Sequence, residues 1–517
     1  MKDDTEMAYT VQDKDPNVGG ASTGAETKDR ARQRELTGAE MVVEALADQG
    51  VEVVFGYPGG AVLPVYDALF QSDKITHILV RHEQGALHAA EGYARATGKV
   101  GCALVTSGPG ATNAVTGLTD AQMDSIPVVC ISGQVPTFLI GNDAFQEADT
   151  TGITRPCTKH NYLAKEIEKL SDTIHRAFHV ARSGRPGPVL IDVPKDVQFA
   201  SSNYTAHQDM DYSFYQPRIK PKADAIDQIV DMLEAAKRPI FYTGGGVINS
   251  GDHASHALRE LVRTTGYPVT STLMGLGAYP ADDPKWLGML GMHGTYEANM
   301  AMHDCDVMIC VGARFDDRVT GRVDAFSPGS RKVHIDIDAS SINKNITVDV
   351  PVIADAGLAL EAVLRRWQER QCRPDSEQIE TWWQQINDWR GVNSLGYKKS
   401  KQIIKPQYAL ERLRDLTADR EDVYITTEVG QHQMWAAQYL PFNKPNRWMT
   451  SGGLGTMGYG FPAAVGVQVA HPDSLVIDVA GEASVLMTMQ EMSTAVQYNL
   501  PVKMFILNNQ WMGMVRQ

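Results

Sequence analysis

Apolar residues come along this chain in short uninterrupted runs, each too brief for a helix and separated by longer stretches of mixed polarity. Runs at Val51–Gly56, Ile78–Val80, Cys102–Thr106, Pro127–Ile131 and Pro188–Pro194 predict buried strands, and a helix is predicted to begin near Ala86 and run through Ala94. The alternation returns with strands at Pro239–Thr243 and Val307–Val311. It appears again at Val423–Thr427, Leu475–Ala480 and Val502–Leu507, the last two separated by a helical stretch from Thr488 to Tyr498. Apolar strands alternating with helices are the pattern of parallel sheets covered on both faces. The predicted fold class is α/β, with three doubly wound parallel-sheet domains.

Punctuation in the chain sets the expected boundaries. Residues 1–35 are polar and mixed in charge, and read as a disordered leader. The first domain is expected over 36–200, the central one over 216–370 and the third over 405–517. A polar linker joins the first two from about Ser201 to Pro221, and a helix-prone connection with Trp382, Trp383 and Trp389 joins the last two. The third segment stops at Gln517, soon after its strand ending at Leu507, so the expectation is a C-terminally incomplete domain in a truncated chain.

Composition narrows the function classes. With 517 residues, 43% apolar and 21% charged, the chain has an ordinary globular make-up and length for about three domains. A net charge of −14 argues against nucleic acid or anionic membrane as a partner. No run approaches the ~20 apolar residues of a membrane span. The six cysteines have no metal-ligand spacing and several lie in strand-like runs, so buried thiols in a reducing compartment are expected. The leader lacks a secretory core and carries acids unlike a transit peptide; the simplest address is cytoplasmic.

Candidate chemistry sits at strand ends. Glu83 lies between a strand and a helix, where open α/β sheets bind ligands, although a carboxylate beside Arg81 and His82 also suits a surface network. Glu482 follows one strand and Asn509 the next, so the two meet on one sheet edge as oxygen ligands suited to Mg²⁺. Glycine-rich junctions follow other strands: Thr106–Asn113, Gly244-Gly245-Gly246 and Ser451–Gly458. Each has a plain alternative. Phe145 suits core packing, His432 a satisfied buried histidine, Met457 gap filling, and Arg314 to Arg318 a solvated loop.

Taken together, Arg81-His82-Glu83-Gln84-Gly85-Ala86, Gly481-Glu482-Ala483 with Asn508-Asn509, and Gln134-Val135-Pro136-Thr137 followed by Gly141–Glu147 resemble the thiamine-diphosphate enzymes. Within these the chain resembles the acetolactate synthase catalytic subunits, from Thr37 to Gln517. Gly312–Gly321 is similar to the signature of their FAD-containing members. The resemblance implies the thiamine-diphosphate-binding fold and the cofactors thiamine diphosphate, Mg²⁺ and FAD. It implies that Glu83 contacts the aminopyrimidine, that Phe145 and Gln146 line the active site, and that Lys195 stands at its entrance. Arg318 would hold the carboxylate of the second 2-keto acid.

The same resemblance puts Gln431, His432, Met457, Gly481, Ala483 and Ser484 at thiamine diphosphate, and Glu482, Asn509 and Trp511 at the metal. Arg185, Gly244, Gly245, Thr272, Leu273, His293, Arg314, Asp336 and Asp355 would contact FAD. The metal motif departs from the family's usual Gly-Asp-Gly: Glu482 adds a methylene and Ala483 a Cβ. The implied reaction joins pyruvate to a second pyruvate or to 2-oxobutanoate. Implied partners are a second copy in a homodimer or homotetramer and a small regulatory subunit. The competing readings are another carboligase or oxidase using thiamine diphosphate, and a flavin-binding fragment without turnover.

Overall fold

The computed structural model describes residues 34–516. Nearly all of the expected leader therefore lies outside the described residues. Among the described residues three larger sheets are present, and within each every strand pair is parallel. A separate antiparallel pair joins Glu35–Thr37 to Ser201–Asn203. The first domain thus reaches past its expected end at 200, because backbone pairing holds residues whose polarity reads as linker.

All three sheets share one wiring plan. In the first, the order is Thr76–Leu79, Val53–Gly56, Gly101–Val105, Val128–Gln134, Val189–Pro194, His160–Leu163. The chain moves outward from Val53–Gly56 and then returns to its other side with Gly101–Val105. In the second, the order is Trp286–Met289, Val269–Ser271, Pro239–Thr243, Val307–Val311, Arg331–Asp336, Val350–Ile353. The reversal there falls between Pro239–Thr243 and Val307–Val311. In the third, Trp448–Met449, Val423–Thr427, Leu475–Ala480 and Lys503–Ile506 reverse between the middle two. Connections diverge at such switch points and leave a crevice beyond the carboxyl ends of the strands.

Local chemistry explains the element boundaries. The helix after Thr76–Leu79 starts at Glu83, earlier than Ala86, because the His82 ring accepts the Gln84 N–H and caps it. Histidine is outside the usual set of capping residues, so the early start has no local sequence signal. The helix ends at Gly98, whose φ of 72° suits a left-handed cap. The stretch expected to be helical from Thr488 to Tyr498 is a helix only over Glu491–Gln497.

Two helices tie the outer domains together. Glu83–Thr97 lies against Gly460–Ala470, and a Cβ on Gly92 or Gly466 would collide with the carbonyls of Ala463 or Ala89. The connection after residue 370 is also less free than its polarity suggests. Its helix Ser376–Arg390 buries Trp382, whose indole N–H donates to the Pro239 carbonyl at 3.1 Å. All six cysteines are buried and unpaired, as expected. Among the described residues no helix is long and apolar enough to cross a membrane.

Candidate active site

Glu83 occupies the first turn of its helix and is only 7% exposed. Its Oε2 accepts a hydrogen bond from Asn113 Nδ2 at 3.0 Å. Asn113 ends the short helix Pro109–Asn113, which follows the strand Gly101–Val105. A Cβ on Gly110 would lie 3.2 Å from Glu83 Oε1, so the glycine lets this turn close on the carboxylate. Gly108 has φ of 57°, and a Cβ there would lie 2.7 Å from the Gln146 carbonyl. One glycine-rich turn thus brings Glu83 and Gln146 together. From the third domain, Glu491 accepts the Arg81 N–H at 3.0 Å and steadies the residues before Glu83.

Phe145 is 88% exposed, which removes core packing as its role. Lys195 opens the helix Lys195–Phe199, next to Asp196, whose Oδ1 accepts the Thr137 N–H at 3.0 Å. That bond ties the helix to the loop carrying Phe145 and Gln146.

The third sheet's crevice gathers every diphosphate and metal residue expected from the sequence. Gln431, His432, Met457, Gly481, Glu482, Ala483, Ser484, Asn509 and Trp511 all line one cavity of about 70 Å³. His432 is buried, and burial lowers its pKa to about 4, so the ring is neutral near neutrality. A Cβ on Gly430 or Gly481 would lie 2.6 Å from that ring. Both glycines therefore keep backbone close to His432, the environment a phosphate needs. Ser484 Oγ lies 3.4 Å from His432 Nε2 and donates to the Gly481 carbonyl at 3.1 Å. Asn509 Nδ2 donates to Gln431 Oε1 at 3.1 Å, while its Oδ1 accepts the Trp511 N–H at 3.0 Å. Glu482 and Asn509 both line this cavity and offer oxygen donors of the kind Mg²⁺ takes together with phosphate and water.

A larger cavity of about 880 Å³ opens at the switch point of the central sheet. It is lined by Arg185, Gly245, Thr272, Leu273, His293, Arg314, Asp336 and Asp355. Gly244, also expected at FAD, does not line this cavity but packs on Gly312, whose carbonyl a Cβ would strike. Gly246, in the same triplet, does line it. The volume, two arginines for a diphosphate and two aspartates for hydroxyl groups fit a dinucleotide such as FAD. Asp355 also caps the helix Ala356–Glu369, and Arg185 pairs with Asp338 at 3.1 Å. Arg318 lines the same cavity with its guanidinium largely exposed, 4.0 Å from Met292 Sδ.

Not all expected residues converge. Glu83, Phe145, Gln146 and Lys195 line neither cavity. Met123, Asp124 and Ser125 of the first domain, by contrast, help wall the larger one. Those residues end a helix of unremarkable composition, and no sequence signal marks them.

Three family models match the chain, each of the thiamine pyrophosphate enzymes: the N-terminal TPP binding domain over 36–153, the central domain over 226–363, and the C-terminal TPP binding domain over 428–517. The folds and the third-sheet crevice accordingly define a thiamine pyrophosphate enzyme. The chain is 51% identical over 484 residues to the acetolactate synthase isozyme 3 large subunit of Escherichia coli, covering 93% of this chain and 84% of that one. It is 48% identical over 486 residues to the chloroplastic acetolactate synthase of Arabidopsis thaliana, covering 93% and 71%. It is 46% identical over 485 residues to an acetolactate synthase large subunit of Mycobacterium tuberculosis, covering 94% and 78%. The chain belongs to the acetolactate synthase large-subunit family.

Proposed function

We propose that this chain catalyses acetolactate synthesis. It decarboxylates pyruvate and joins the remaining two-carbon unit to a second pyruvate or to 2-oxobutanoate, giving 2-acetolactate or 2-aceto-2-hydroxybutanoate. This is the first common step toward valine, leucine and isoleucine. The observation that carries the reading is the convergence of Gln431, His432, Gly481, Glu482, Ser484 and Asn509 on one crevice.

Bound thiamine diphosphate would supply the nucleophilic carbon and the electron sink for decarboxylation. The protein's residues supply the rest. Neutral His432 and the backbone near Gly481 would bind the diphosphate. Glu482 and Asn509 would hold Mg²⁺. Glu83, kept dry and oriented by Asn113, would share a proton with the aminopyrimidine ring. Arg185, Gly245, Thr272, Leu273, His293, Arg314, Asp336 and Asp355 would bind FAD, a structural group in a reaction without net electron transfer. Arg318 would orient the carboxylate of the second 2-keto acid.

Glu83 lines neither cavity of its own chain, which supports a homodimer or homotetramer in which one copy's Glu83 meets the other's diphosphate crevice. A small regulatory subunit and a cytoplasmic address complete the proposal. The test is to incubate the purified chain with pyruvate, thiamine diphosphate, Mg²⁺ and FAD and assay acetolactate. Product formation is expected; a folded, cofactor-loaded chain that forms none overturns the reading.

A further inference from the structure

A group of buried ionisable side chains lies outside both cavities, where the first domain meets the third. His88, Glu91 and Asp120 bring ligand-type atoms within 4.8 Å of one another. His88 Nδ1 already pairs with Glu91 Oε1 at 2.9 Å, and Arg95 on the same helix supplies a positive charge. His88 and Glu91 partner one another, and Asp120 reaches across to the loop that begins at Ser451.

We propose that Asp124, together with Asp120, is a positioning residue that shapes the 451–457 loop of the third domain and so pre-forms the wall shared by the two cavities. The inference rests on reading those cavities as the thiamine diphosphate and FAD sites.

Asp120 and Asp124 lie one turn apart on the helix Val115–Asp124. A buried carboxylate at a helix C-terminus faces both desolvation and the negative end of the helix dipole. Its placement costs stability unless its partners compensate, and here they do so with backbone amides. Asp124 Oδ2 accepts the Gly452 N–H at 2.8 Å, and Oδ1 accepts the Gly453 N–H at 2.7 Å. Asp120 Oδ1 accepts from the Ser451 hydroxyl at 3.0 Å. The Ser451 oxygen in turn accepts the Gly455 and Thr456 N–H groups at 2.9 and 2.8 Å. Beyond Met457, the Gly458 N–H donates to Glu428 at 2.6 Å.

The amides on both sides of Met457 are thus anchored, and Met457 lines both cavities. Residues 451–455 line the larger one. Side chains have no room at the clamp: a Cβ on Gly453 would lie 2.9 Å from Asp124 Oδ1, and one on Gly452 would strike Met274. Arg95 closes the ends of the loop by donating to the Thr450 carbonyl at 2.7 Å and to Tyr459 Oη at 3.3 Å. A first-domain helix therefore dictates the course of a third-domain loop. Asparagine at 124 would keep the size of the side chain but turn one acceptor into a donor facing an N–H.

The experiment compares the full chain with Asp124→Asn and Ser451→Ala. Titration calorimetry gives the affinities for Mg²⁺–thiamine diphosphate and for FAD. Turnover is measured per bound thiamine diphosphate at saturation, and thermal melting reports the fold. Asp124→Asn is expected to weaken both affinities about tenfold and to lower kcat per loaded site by a similar factor, with pyruvate KM within about twofold. A variant that melts lower but turns over normally per loaded site overturns the proposal, since a structural role alone would do that. Unchanged affinities and turnover overturn it as well. Should Asp124→Asn not fold, Ser451→Ala carries the test with the same expected directions. Wild-type chain that binds neither cofactor would instead sink the functional reading on which this rests.

Discussion

Asn113 donates from Nδ2 to Glu83 Oε2 at 3.0 Å, joining the last residue of one short helix to the first of another in the first domain. The bond occupies Oε2, while Oε1 faces Gly110, where the Cβ of any other residue would lie 3.2 Å away. Replacing Glu83 by Gln should leave the fold intact, since the amide can still accept from Asn113. Turnover should fall on the order of 10³-fold, the usual scale for a positioned proton-transfer group. Acetolactate formation by folded Glu83→Gln within a few-fold of wild type would remove Glu83 from the chemistry.

Glu482 supplies the charged ligand of the expected metal site. Glu482→Ala should weaken Mg²⁺-dependent binding of thiamine diphosphate on the order of 100-fold. Glu482→Asp should retain most of it, because the crevice keeps its other oxygen donor, Asn509. Calorimetry with and without Mg²⁺ separates the two; an Ala variant that still binds normally would place the metal elsewhere.

Arg318 stands in the larger cavity on a short helix capped by Asp316. Arg318→Ala should raise the KM for the second 2-keto acid by roughly 10- to 100-fold, the worth of a charge-assisted pair. Thiamine diphosphate affinity should not move. Parallel loss of both would show that the arginine supports the site generally and does not select substrate.

Glu428 gives a pH dependence whose sign is fixed by its burial. Desolvation raises its pKa from 4.5 to about 7, against the pull of N–H groups from Phe461, Gly460 and Gly458. The folded chain holds a proton that the unfolded chain releases above 4.5. This contribution is complete below about pH 4.5 and is lost as pH rises through about 7. Asp478 beside it is shifted the same way. Melting of cofactor-free protein across that window should show Glu428→Gln gaining on wild type as pH rises. A constant difference between the two would mean that Glu428 is ionised throughout.

Gly466 sets how closely the two domain-joining helices approach. Gly466→Ala would push a methyl group against the Ala89 carbonyl and should destabilise the chain by about 1–3 kcal/mol. Chemical denaturation measures this directly. Wild-type stability would mean that the helices separate at little cost.

The alternation of apolar runs by itself determined the three α/β units, because parallel strands buried on both faces must read as continuous apolar segments. Pro239–Thr243, Val307–Val311, Val423–Thr427 and Leu475–Ala480 have the same limits in sequence and structure. Local motifs likewise marked most residues of the third sheet's crevice, since they follow three neighbouring strands closely and period and polarity are local properties. Only the tertiary structure decided which strands sit side by side, and hence that each crevice opens at a reversal of strand order. It also decided that Gly244 packs on Gly312 while Gly246 meets the cavity, that Trp382 pins a polar connection to the central sheet, and that Asp124 holds amides from 328 and 329 residues away. Those relations depend on which distant backbones approach one another, and a helix ending in an aspartate looks the same in sequence whether it faces water or the wall of another domain.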